Sequence, residues 1–65
     1  MQERSVQLRN LLAGTVFTYN GVNYKKGSYG NEQEIDCVPQ YGGQFQEKLK
    51  ERLSLDLFVY VQAKI

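Results

Sequence analysis

The sequence predicts a mainly β domain with one short helix, built as a small open barrel or a curved antiparallel sheet. Its expected order is lead-in strand, two hairpin strands, short strand, helix, final strand. Three observations lead there. Asn20-Gly21 separates two arms with an aromatic or branched apolar residue at every second place. Residues 55–65, LDLFVYVQAKI, alternate in the same way, and residues 44–53, QFQEKLKERL, instead repeat apolar side chains at helical spacing. With 65 residues, positions 1–65 are expected to make a single compact domain.

Taken in order, residues 1–13 hold Val6, Leu8, Leu11 and Leu12. Val6 and Leu8 begin a strand alternation, whereas Leu8, Leu11 and Leu12 fit one helical face, so a short strand or a single helical turn is expected before Gly14. Asn-Gly then favours a two-residue type I′ turn, because both central positions need a positive φ. That turn sets Tyr19 opposite Val22, Thr18 opposite Asn23, Phe17 opposite Tyr24 and Val16 opposite Lys25. Phe17, Tyr19, Val22 and Tyr24 then share a face, which something must cover, since a lone hairpin is marginal in water.

Residues 27–34, GSYGNEQE, read as a loop. Residues 35–38 suggest a short strand that Pro39 ends by its missing N–H, and Gln40 to Gly43 suggest a further turn. The expected helix places Phe45, Leu49 and Leu53 on one thin stripe, supported by Glu47–Lys50 and Lys48–Glu51 pairs. It would cover Phe17 and Tyr24. In the last strand Leu55, Leu57, Val59, Val61, Ala63 and Ile65 face one way, and Asp56, Phe58, Tyr60, Gln62 and Lys64 the other. Its middle is apolar on both faces, which implies a central strand or a face sealed by a partner.

Composition limits the chemistry. There is no histidine, so the usual general base near neutral pH and the Ser-His and Cys-His nucleophile pairs are missing. Cys37 is the one cysteine, flanked by Asp36 and Val38, and reads as a buried, inert thiol. Glu32, Glu34 and Asp36 supply carboxylates at alternate positions but lack calcium-loop spacing, so they read as a solvated, charged strand edge. The glycines match no phosphate-binding loop. Asp36 and Asp56 are the conceivable carboxylate pair, with nothing to draw them together. No enzyme, no cofactor and no metal site is expected.

Net charge is +1, too weak a bias for a dedicated nucleic-acid binder. The charge is unevenly laid out, with a net of +3 over residues 1–30, −3 over residues 31–40 and +1 over the remainder. Met1 to Arg4 and the polar residues after them carry no apolar leader, and Leu57 to Val61 is too short to span a bilayer. A cytoplasmic protein that does not engage membranes is expected.

Five tyrosines in 65 residues are the compositional oddity, and tyrosine is enriched at interfaces. Tyr29 and Tyr41, in glycine-bearing segments, are the first candidates for contact residues if both reach one side. Tyr24, Lys25 and Lys26 join them as candidate interaction residues, although Tyr24 alone reads better as core. Tyr24, Lys25, Lys26 and Tyr29, with Arg9 nearby, also form the basis of an alternative, a small barrel stacking single-stranded nucleic acid.

The lead-in followed by Gly-Thr-Val-Phe, the Asn-Gly turn and a nearby tyrosine, residues 8–27, resembles a pattern of small proteins from phages and their bacterial hosts. That resemblance implies an accessory protein acting on a host factor and assigns no residue a role. The function expected is a small non-enzymatic protein-interaction or regulatory module whose partner is another protein or, as a homodimer, itself. The alternatives are the nucleic-acid binder and a homo-oligomer holding a small ligand between subunits.

Overall fold

A computed structural model describes residues 3–62. They form seven strands: β1 (Glu3–Gln7), β2 (Val16–Tyr19), β3 (Val22–Gly30), β4 (Glu34–Tyr41), β5 (Gln44–Phe45), β6 (Glu51–Ser54) and β7 (Phe58–Gln62). One 3-10 turn, Leu8–Asn10, follows β1, and a second, Glu47–Leu49, lies between β5 and β6. The lead-in thus supplies both a strand and a helical turn, with Leu8 fully buried.

Every strand pairing is antiparallel, in the order β1-β7-β2-β3-β4-β5, with β6 also on β4. The hairpin register is the one the Asn-Gly turn predicts, from Tyr19–Val22 to Val16–Lys25. Asn20 and Gly21 take φ of 54° and 79° at its tip. Among the described residues nothing pairs β1 with β5 or β6, so the barrel expectation is corrected: this is an open, curved antiparallel sheet.

The curve closes over one core. Leu8, Phe17, Tyr24, Cys37 and Val59 are buried together, and Val6, Leu53, Leu55, Leu57 and Val61 pack around them. Phe17 and Tyr24 stack with ring centres 5.6 Å apart, an aromatic pair contributing about 0.5–1.5 kcal/mol beyond its buried area. Leu55 and Leu57 belong to the turn joining β6 to β7. Their carbonyls accept from the N–H groups of Arg9 and Leu8, which ties the ends of the sheet together across the core.

Three expectations change. Residues 44–53 form no α-helix, only β5, the second 3-10 turn and β6. One apolar residue per turn is too thin a stripe to stabilise ten helical residues. The same segment in extended form completes the edge of β4, where Cys37 and Val38 are buried and their neighbours' backbone groups need partners. Phe45 goes to the outer face, Leu53 to the core side, and Leu49 stays exposed. Residues 27–30 continue β3 rather than entering a loop, with a register irregularity between Lys26 and Gly30.

Pro39 does not end β4, which runs on to Tyr41. The Pro39 carbonyl accepts from the Gln46 N–H, so its ring nitrogen faces the gap between the stretches paired to β6 and to β5, where no ladder donor is required. The last strand begins at Phe58. Ala63, Lys64 and Ile65 lie outside the described residues.

Candidate interaction surface

Alternation along β3 sorts the sequence candidates. Tyr24 and Lys26 point inward, Lys25 outward. Tyr24 is core: its hydroxyl donates to Glu51 Oε2 at 2.9 Å, and its pKa is pushed up to about 12, first by burial and then by that acidic partner.

Lys26 is also structural. Its side chain is 9% exposed, and its ammonium donates to the carbonyls of Leu8 at 3.0 Å and Leu11 at 2.5 Å. Its N–H donates to the Thr15 carbonyl and its own carbonyl accepts from Gly14 N–H. Residues 8–15 therefore wrap around one lysine, which adds a second donor to the Leu8 carbonyl and supplies the one donor that the Leu11 carbonyl has among the described residues.

Lys25 lies on the outer face with its ammonium 4.8 Å from the centre of the Phe45 ring, a cation–π contact. Tyr29 is 76% exposed. The two line an open groove of about 430 Å³ together with Ala13, Gly14, Val38 and Lys50. Asp36 borders the same groove, but its carboxylate accepts from Arg52 Nε at 3.0 Å. Tyr41 is exposed too, yet it alternates with Pro39 and Cys37 and stands at the rim of the core face. Tyr29 and Tyr41 do not converge.

This division also removes the cluster behind the nucleic-acid alternative. Of Tyr24, Lys25, Lys26 and Tyr29, only Lys25 and Tyr29 are available to a ligand, and the lysine nearest the pair is committed to backbone carbonyls.

The outer face holds a feature that the tyrosine count did not single out. Phe58 and Tyr60, two apart on β7, are 64% and 50% exposed, while Val59 between them is fully buried. Tyr60 lies opposite Ser5 on one side and Thr18 on the other. Beyond Thr18 a polar chain crosses the sheet: its hydroxyl donates to Asn23 Oδ1 at 2.7 Å, and Asn23 Nδ2 donates to Gln40 Oε1 at 3.3 Å. Val16, on the same face as Thr18, is half exposed. The signal for this patch was the run Leu57 to Val61, apolar at both parities, of which one parity has no core to enter.

Cys37 is fully buried, and burial pushes its thiol up to about 11. Among the described residues no three carboxylate or thiol groups gather where they could hold a metal ion. Asp36 pairs with Arg52, and Asp56 with Arg9. No helix among the described residues is long and apolar enough to cross a membrane.

No family model, no curated protein and no solved structure matches the chain. The likeness of residues 8–27 to phage and host proteins is therefore set aside, since no match supports it and hairpin pairing accounts for residues 16–25 of that stretch. No related assembly supports the homodimer expectation.

Proposed function

We propose that the protein is a non-enzymatic interaction module that engages a protein partner through the outer face of its sheet, centred on β7. The observation that carries this reading is the exposure of Phe58 and Tyr60, side by side on a central strand whose other face turns Val59 fully into the core and Val61 partly so. In a chain of 65 residues apolar side chains are scarce, and the core is assembled without these two. Contiguous exposed aromatic surface marks contact sites, and Phe and Tyr are enriched in the buried centres of interfaces.

The test is affinity capture from the native cell with the wild-type chain and the F58S/Y60S variant, together with thermal melts of both. Both side chains are outside the core, so the melting midpoints are expected to agree. A captured protein present with wild type and absent with the variant supports the reading. Identical captures from two equally stable chains refute it.

A further inference from the structure

A second feature of the outer side lies where β3 outlasts its neighbour. β2 pairs β3 only as far as Val16–Lys25, and Thr15 and Gly14 extend the contact to Lys26. Beyond that point Ser28, Tyr29 and Gly30 remain in extended conformation and exposed, and among the described residues no strand lies along that side of them. An unpaired strand edge presents backbone donors and acceptors to any incoming extended chain. Such edges are commonly blocked by lysine or proline, and Ser28-Tyr29-Gly30 has neither, although the register irregularity toward β4 twists the segment.

The groove described above opens beside this edge. Its charges are not all free. Asp36 is neutralised by Arg52, and the Lys26 ammonium is spent on the carbonyls of Leu8 and Leu11. What remains around the groove is Lys25 and Lys50 against Glu47. An incoming segment bearing carboxylates thus meets two ammonium groups and one opposing charge, while Val38, Ala13 and the Tyr29 ring offer apolar contact.

We propose that the free edge of β3 at Ser28–Gly30, with the adjoining groove, is a docking site for an extended acidic segment of the protein partner. The segment adds a strand beside β3 and places a carboxylate between Lys25 and Lys50. This rests on the interaction-module reading and names the chemistry of the partner.

The probe is the peptide acetyl-Ser-Glu-Ile-Glu-Val-Ser-amide, titrated into the uniformly ¹⁵N-labelled full chain and followed by amide shifts and hydrogen exchange. Shifts confined to residues 13–14, 27–30 and 47–50, with slowed exchange at Ser28 and Gly30, are the expected result. Replacing both glutamates by glutamine is expected to weaken binding about fivefold, as is K50E in the protein. Absence of shifts at millimolar peptide, equal binding of the glutamine peptide, or shifts confined to Phe58 and Tyr60 would overturn the proposal. The capture comparison with F58S/Y60S is independent. Peptide failure with partner capture intact removes this site alone, and peptide binding with identical captures removes the β7 surface alone.

Discussion

Lys26 is where a single atom's removal should cost this fold most relative to its size. The substitution Lys26→Met keeps the length and most of the apolar stem and deletes the ammonium. Two hydrogen bonds disappear, to Leu8 O at 3.0 Å and Leu11 O at 2.5 Å. The two carbonyls are not equally affected. Leu8 O also accepts from the Leu11 N–H, whereas Leu11 O has no other donor among the described residues. Hydrogen bonds to a charged group contribute about 1.5–3 kcal/mol each, and relief of the ammonium's desolvation offsets part of that. A net loss of about 2–3 kcal/mol follows. For a domain of this length total stability is only about 3–10 kcal/mol, so the midpoint of thermal unfolding should fall by roughly 10–20 °C.

The assay is urea unfolding followed by far-UV circular dichroism, with Lys25→Met as the companion. Lys25 lies on the outer face, its ammonium engaged among the described residues only with the Phe45 ring, and its loss should shift stability by less than about 1 kcal/mol. The slope of the transition should stay unchanged in both variants, as neither alters the surface exposed on unfolding. Equal midpoints for the two variants, or a more stable Lys26→Met chain, would refute the account of residues 8–15 as a segment held by this ammonium.

Gly21→Val should destabilise by more than about 1 kcal/mol, because a branched residue must then adopt φ near 79° even though the space around it is open; an unchanged urea midpoint would contradict it. Val59→Asp places an unpaired carboxylate at a fully buried position, and cooperative melting should vanish; a retained transition would show that the site can expel the charge. Raising the pH should destabilise the fold from about 9 to about 12, since the folded chain holds the Cys37 and Tyr24 protons more tightly than the unfolded chain does. The contribution is whole below pH 9, and Cys37→Ala should remove the earlier part of the decline; urea midpoints that stay flat or rise across this range would show the sign to be wrong.

The parts of this fold that could be read from sequence are those decided within a few residues. Asn20-Gly21 dictates its hairpin because the constraint is local: two positive φ values, then alternation outward. The other departures arise from partners distant in sequence. Residues 44–53 are good helix formers, yet β4 has an edge to complete, and the hydrogen bonds of β6 with Glu34–Cys37 outweigh a helix with a thin apolar stripe. Gly27 has the look of a loop residue, but a Cβ there would lie 2.6 Å from the Asp36 carbonyl, so it serves close strand approach rather than a bend. Nothing near Gly27 in sequence announces Asp36 as its neighbour.

The candidate surface divides along the same line. Running the hairpin alternation through Lys25 and Lys26 sends adjacent lysines to opposite faces, which already argues against reading Tyr24, Lys25, Lys26 and Tyr29 as one patch. What alternation cannot supply is the fate of the inward lysine. A buried ammonium is tolerated only where carbonyls are spare, and those belong to residues 8–11, fifteen or more positions away. For β7 the reverse holds. The run Leu57 to Val61 has apolar residues at both parities, and a single-layer sheet with one core can bury only one of them. With Val59 and Val61 turned to that core, Phe58 and Tyr60 must face solvent or a partner, and that exclusion follows from alternation against a single core rather than from the aromatic count.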